Sequence, residues 1–551
     1  MKIPIYCLVL LVLSAGVGSG QATGRLVGSV TDGESGEGLP GVNLILEDTG
    51  WGTSTDLEGR FELQGIAPGT YVLRASIIGY EAYKRKVKVR AELETRLDFH
   101  LHPSPIHLGE VLVQSERAYS AASSRSVRAF DLEIRPSRTA HQMLQMAPGL
   151  VIAQHAGGGK AEQIFLRGFD ADHGTDVAID IDGMPVNMVS HGHGQGYADL
   201  HFMIADVIER VDVAKGPYFP EYGNFATAGA VSFHTRDHLP RNEIRLAGGS
   251  FNSADYTMLY QLPMADPGQT AYFAGNYYHS DGPFDSPQDF QRFNVFSKVH
   301  THLSERSTLT LDLGAFSSAW DASGQLPQRA VASAAIGRWG AIDDLEGGTT
   351  GRRNLNLTFR SIGRNNSDFT AQAYLSRYDF KLFSNFTFFL EDPVRGDMIE
   401  QVDDRQLFGF KSDYSFYHNL GTMLVRATLG GGMRGDDVDV ALWKNNGRAR
   451  ARSLVDSRVL ERNFHMWGRE EIFINPQWRL MLGLRADYFT FNVDDRLEGQ
   501  PADLPHASGY AHNRVLSPKV MLAYSPRRAL DFFANAGTGF HSNDARNAII
   551  E

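Results

Sequence analysis

From about residue 241 onward, apolar and polar residues alternate along the chain. In Asn354-Leu-Asn-Leu-Thr-Phe-Arg360, the apolar residues Leu355, Leu357 and Phe359 share one face. Leu309, Leu311 and Leu313 oppose Thr310 and Asp312 in the same way. Trp478, Leu480, Leu482, Leu484, Ala486 and Tyr488 oppose Arg479, Gly483, Arg485 and Asp487. Side chains on a strand point alternately to its two sides, so each run predicts a strand with one apolar and one polar face. About thirteen such segments fit, at the roughly ten residues a strand needs to cross a bilayer. A soluble sandwich gives similar alternation, so no single run decides between them. Tyr272-Phe273, Tyr277-Tyr278 and Phe386-Thr-Phe-Phe389 stand near expected strand ends and suit an interfacial aromatic girdle. The acidic stretch Glu391 to Asp404 is expected to be a solvated loop.

The first half of the chain reads differently. Residues 24–101 contain short β-rich runs broken by Gly, Pro and Asp turns. Residues 102–126 read as a linker. Between Leu144 and Arg236, glycines alternate with short apolar strands. The start is a secretory leader: Lys2, the apolar run Ile3 to Leu13, then small residues to Gly20, with cleavage expected near Gly20–Gln21. The chain's one cysteine, Cys7, lies in this leader, so the mature chain has neither disulfides nor thiolate metal sites. No later segment has the apolar length of a membrane helix. A net charge of −11 argues against a nucleic-acid partner.

Several motifs carry a resemblance. The segment 24–101 has Gly41-Val42 after Pro40, Asp56 with Gly59-Arg60-Phe61, Pro68-Gly69-Thr70-Tyr71 and Gly79-Tyr80. It resembles a carboxypeptidase-regulatory-like β-sandwich, an accessory module. The turns Arg167-Gly168-Phe169 and Asp182-Gly183-Met184-Pro185, then Gly216-Pro217 and Tyr222-Gly223, resemble the plug of TonB-dependent outer-membrane receptors. Within the linker, Glu110-Val111-Leu112-Val113 resembles a TonB box, whose extended chain could pair with the edge of a partner sheet.

The resemblance implies a mainly β chain. Its parts are a signal peptide (1–20), the β-sandwich (24–101), a linker with TonB box (102–126), an α+β plug (127–238) and a partial transmembrane antiparallel β-barrel (241–551). About thirteen strands fall short of the roughly 22 of plugged transporters. The Gly537–Asp544 motif resembles one found mid-barrel in the family, and no final strand with a terminal aromatic follows it. A C-terminally truncated chain is therefore expected, with a natural smaller barrel as the alternative. The family further implies an outer-membrane protein with its N-terminal domain in the periplasm. Its partners would be TonB with the inner-membrane energising complex, outer-membrane lipids and an extracellular ligand.

Histidines and carboxylates gather inside the plug. Asp170, Asp172 and His173 follow the Arg167 turn; His191, His193, Asp199 and His201 follow the Asp182 turn. Imidazole and carboxylate ligands suit zinc, copper, nickel or cobalt, and His191-Gly-His193 could bring two imidazoles to one ion. Alternatively, these histidines simply hydrogen-bond the barrel wall. Arg167 and Asp182 read mainly as structural, holding the plug in the barrel. The expected function is TonB-dependent uptake of a scarce ligand, with a transition metal or metal chelate as the first candidate. Import of a glycan or other organic nutrient is the alternative, and so is a non-transporting adhesin or structural barrel. Neither a cofactor nor an enzymatic activity is expected: Gly157-Gly-Gly-Lys160 lacks the rest of a P-loop, and His107-Leu-Gly-Glu110 lies in the linker.

Overall fold

The computed structural model describes residues 23–102 and 124–550, apart from 34, 48, 50, 78–79, 81–82, 128–131, 133–138, 155–157, 267, 364–366, 422, 499–507 and 528–529. The leader and the TonB-box candidate Glu110–Val113 lie outside the described residues. The chain forms two compact units, Met1–Glu116 and Arg117–Glu551.

The first unit is a sandwich of two small sheets. One holds Arg60–Ile66, Gly24–Asp32, Glu94–Arg96 and Phe99–Leu101; the other holds Gly52–Ser54, Asn43–Leu46, Gly69–Ser76 and Tyr83–Val89. Alternate residues such as Leu26, Val30, Leu44, Leu63 and Leu73 meet in a common core. The Asp56–Gly59 motif is a turn. Asp56 Oδ1 accepts from the N–H groups of Glu58 and Arg60, and Gly59 takes φ +77°.

In the second unit, a five-stranded sheet runs in the order Met184–Pro185, Val177–Ile181, Gly229–Thr235, Ile208–Lys215, Ser124–Val127. It reaches back into the segment expected as linker. Val177–Ile181 and Gly229–Thr235 are parallel, and a parallel pair requires a long crossover. Residues 182–228 supply it, and they carry the histidine loop. A smaller sheet of Leu150–Ala153, Gln163–Leu166 and Phe169–Asp170 packs nearby through Ile164 and Leu166. Thr139 caps the short helix Ala140–Leu144 by accepting from the Gln142 N–H.

Thirteen strands, from Glu243–Gly249 to Leu530–Gly537, follow as one antiparallel sheet in which each strand pairs with its neighbours in sequence. The first and last strands do not pair with each other, so the sheet is open. The expected faces are present: Leu355, Leu357, Leu482 and Leu484 are exposed, whereas Asn356, Arg485 and Asp487 are buried against the plug. Connections at one end are short (305–306, 474–477). At the other they run long (281–289, 323–345, 385–398).

Two expectations change. Tyr272 belongs to no outer girdle; it is fully buried, and its hydroxyl donates to the Arg236 carbonyl at 2.9 Å. The acidic stretch ends early as a loop, because Ile399–Leu420 is a strand. Its carboxylates tolerate burial there because each has a guanidinium partner: Arg450 bonds Glu400 at 2.8 Å, and Arg405 bonds Asp403 at 2.5 Å.

Candidate functional site

The two Gly turns are tight hairpins. Arg167 (φ +51°) with Gly168 (+88°) and Asp182 (+45°) with Gly183 (+78°) each place two successive residues in the left-handed region, which a two-residue type I′ turn requires. Asp182 also joins plug to sheet. Its carboxylate accepts from the Thr235 N–H at 2.9 Å and the Thr235 hydroxyl at 2.5 Å, and Lys298 Nζ lies 3.5 Å away. Its carbonyl accepts from Gln372 Nε2 at 2.6 Å and Asn356 Nδ2 at 3.3 Å.

The same pattern recurs around the plug, where inward cations donate to main-chain carbonyls. Arg352 reaches Pro185 O at 3.1 Å, Arg434 reaches Asn187 O at 2.8 Å, and Arg405 reaches Val189 O at 2.7 Å. Lys519 reaches Pro217 O at 2.7 Å, just after Gly216. Arg485 reaches Glu221 O at 3.2 Å, and a Cβ on Gly223 would stand 2.4 Å from its guanidinium. The Tyr222 hydroxyl is 3.2 Å from Ser232 Oγ.

Asn187 holds the histidine loop in shape. Its Oδ1 accepts the Ile179 N–H at 2.6 Å, and its Nδ2 faces the carbonyls of Gly174 and Val177 at 2.9 Å and of Gly196 at 3.2 Å. Within that frame the histidines separate into distinct roles. His191 is buried, stacked on Tyr197 with ring centres 4.3 Å apart and planes within 2°. Its Nδ1 accepts the His193 N–H at 3.0 Å, and its Nε2 faces the Tyr378 hydroxyl at 3.3 Å. Burial, and then the charge of Arg405, holds its imidazole well below the usual histidine range, hence neutral. With both nitrogens engaged by protein, His191 packs rather than ligates.

His193 instead meets His173: their Nε2 atoms are 3.3 Å apart. Gln401 Oε1 lies 2.8 Å from His193 Nδ1, which donates to it and leaves Nε2 with its lone pair. Asp172 Oδ1 is 3.7 Å from His173 Nε2, and burial lowers the His173 pKa. A cavity of ≈ 370 Å³ opens beside His193, walled by Gln195, His541, Ser542 and Arg546. Gln195 Nε2 donates to Ser542 O at 2.8 Å, and Asn224 Nδ2 to Ser542 Oγ at 2.8 Å, so the Gly537–Asp544 motif docks on the plug.

Asp170 is exposed and bonds Gln163 at 3.1 Å, outside this group. Asp199 and His201 form a second centre. His201 Nδ1 lies 2.7 Å from Asp199 Oδ1, and the His201 ring faces His141 with centres 4.8 Å apart. The sequence reading missed His141, Glu162, Asn187, Tyr197, Gln401 and His541. Only His541 had a signal, in its Gly-Phe-His-Ser-Asn-Asp motif.

Three family models match the chain. Residues 26–113 match a CarboxypepD_reg-like domain, 117–230 the TonB-dependent Receptor Plug Domain, and 262–549 the TonB dependent receptor-like beta-barrel. The last match alone covers more than half of the sequence. The chain belongs to the TonB-dependent receptor family. Receptors of this family sit in the outer membrane, and among the described residues no helix is long and apolar enough to cross a membrane. Solved structures with the same fold include the ferric citrate transporter FecA (TM-score 0.66, 15% identity, covering 77% of this chain and 63% of that one). The copper transporter OprC matches with TM-score 0.57 and 17% identity, covering 76% of this chain and 63% of that one. The ferric yersiniabactin uptake receptor FyuA from Yersinia pestis matches with TM-score 0.57 and 14% identity, covering 75% and 64%. This receptor chain thus spans under two thirds of the length of each.

Proposed function

We propose that this receptor takes up a transition metal, as ion or chelate, across the outer membrane by TonB-driven transport. The observation that carries this reading is the 3.3 Å between His173 Nε2 and His193 Nε2. Nitrogens bound at about 2.0–2.1 Å to one tetrahedral ion stand roughly 3.4 Å apart. Gln401 orients His193 from behind as an outer partner of a metal ligand does, Asp172 lies within a small rotation, and the cavity leaves space for donors brought by a chelate.

In this reading the long-loop end of the sheet faces outside, and the N-terminal sandwich with Glu110–Val113 lies in the periplasm, where TonB pairs with that segment. Arg167, Gly168, Asp182, Gly183, Gly216, Pro217, Tyr222 and Gly223 hold the plug. Ligand must bind better to the box-exposed state than to the docked one, or it carries no signal.

Two measurements test the proposal. Equilibrium Co²⁺ binding to the full-length protein in detergent should weaken at least tenfold on His173→Ala or His193→Ala; unchanged binding refutes the site. Deleting Glu110–Val113 should abolish uptake of radiolabelled metal by cells while leaving binding intact. Uptake at the wild-type rate would exclude coupling through that segment.

A further inference from the structure

A second cavity, of ≈ 500 Å³, lies between the plug and the strands Ser253–Leu262, Gln269–Ser280 and Phe290–Ser304. His141, Glu162 and His201 line it. His141 is the most unusual side chain in the plug: it is 3% exposed, and among the described residues neither ring nitrogen has a hydrogen-bond partner. A buried polar group left in that state is costly unless something else satisfies it. Its Nδ1 is 3.7 Å from Glu162 Oε1, and its ring faces that of His201. His201 in turn is held through Nδ1 by Asp199 at 2.7 Å, which leaves Nε2 as its ligand atom. A carboxylate that bonds one imidazole nitrogen while the other binds metal is the usual outer arrangement of a metal site.

The charges agree. Of the charged side chains lining the cavity, the carboxylates of Glu162 and Asp255 outnumber Arg292, which is linked to Asp255 through Asn276. The wall residues Ser280, Gly282 and Gln288 are chain neighbours of His279, Asp281 and Asp289. The donor atoms of those three lie within 4.8 Å of one another. A cation entering from the long-loop end would therefore pass a group of matching donors.

We infer that His141, His201 and Glu162 form a second transition-metal site, separate from the His173–His193 pair and oriented by Asp199. His141 Nδ1 and Glu162 Oε1 already lie 3.7 Å apart; a small shift of His201 toward them, with its Nδ1 bond to Asp199 kept, completes the set. The inference shares its class of cargo with the proposed uptake, but a different set of residues tests it.

The test uses the full-length protein in detergent with Co²⁺ as probe, read by its visible absorption and by competition with a chelator. In a His173→Ala/His193→Ala/His279→Ala background, one equivalent should remain bound with a tetrahedral spectrum. Adding His141→Ala, or the milder Glu162→Gln, should weaken it at least tenfold. In the otherwise wild-type chain, either substitution should remove one equivalent, which covers the case in which the triple background does not fold. No bound Co²⁺ in a folded triple background, or binding that survives both substitutions, overturns the inference. Failure of the His173–His193 reading alone would appear instead as Co²⁺ binding by the His173→Ala/His193→Ala protein that equals wild type and is still lost on His141→Ala.

Discussion

Replacing Asn187 by Ala isolates what shapes the histidine loop. The side chain stands where the short strand Met184–Pro185 has ended, and it continues the pairing of Val177–Ile181 by accepting the Ile179 N–H. Its amide has two hydrogens for three carbonyls, so the Gly174 and Val177 bonds at 2.9 Å are the principal pair and Gly196 at 3.2 Å shares. Alanine leaves the buried Ile179 N–H unsatisfied, at about 1–3 kcal/mol, and removes two donated bonds at about 1 kcal/mol each. The sum, about 3–5 kcal/mol, is local, because the substitution leaves the thirteen-stranded sheet untouched. It should appear as a loss of amide protection of roughly 10²–10⁴-fold across residues 174–198, at 1.36 kcal/mol per decade. Hydrogen exchange with mass spectrometry on the detergent-solubilised protein reads this directly. Asn187→Asp keeps the acceptor, loses both donors and faces carbonyls with a charge, so it should be no milder. Protection within threefold of wild type in that segment would refute the assignment.

Other outcomes follow from the same interactions. Lys298 is buried between Asp182, Asp237 and Asp312 at 3.5–3.6 Å, so Lys298→Met should cost about 3–5 kcal/mol in denaturant unfolding. Removing the exposed Arg458 from Asp437 should leave the unfolding midpoint nearly unchanged; equal losses would contradict the burial argument. Gly223→Ala drives a methyl into the Arg485 guanidinium and should destabilise by about 1–3 kcal/mol, read as a lower melting temperature. His191 is neutral when folded, its pKa depressed by burial, whereas the unfolded chain protonates near 6.5. Its contribution is therefore complete above that pH and is lost as pH falls below it. At pH 5 metal-free wild type should have lost up to about 2 kcal/mol relative to His191→Phe; parallel pH curves for the two would refute this.

Much of this architecture was legible in the sequence. The period-two runs at Leu355–Phe359 and Leu480–Tyr488 placed the strands and their faces correctly, because one face must meet apolar surroundings and the other a polar interior. The Gly turns marked their hairpins because only a few residues accept positive φ. Tyr272 misled because an aromatic near a strand end serves equally well at a lipid boundary or buried against a plug; only its partner, the Arg236 carbonyl, decides. The histidines were found as a cluster, but their separation into His173–His193 and His141–His201 was not visible. It depends on a crossover that folds residues 182–228 across the sheet, and on His141 and Glu162, which stand far from the motif in sequence. Glu400 and Asp403 read as loop because their partners Arg450 and Arg405 could not be assigned without the register of neighbouring strands.

Much of the hold on the plug runs through its main chain, beside side-chain contacts such as Asp182 with Lys298 and Glu221 with Arg469. Arg352, Arg405, Arg434, Arg485 and Lys519 all grip carbonyl oxygens, which every residue type offers. Plug side chains at these positions can therefore change without loosening those bonds, while the wall cations cannot. Such a contact also fails in a particular way. Under a pull from one end, each carbonyl that leaves its cation can be taken over by water, so the bonds break in succession at modest force. A dry apolar seam of equal strength would have to tear all at once.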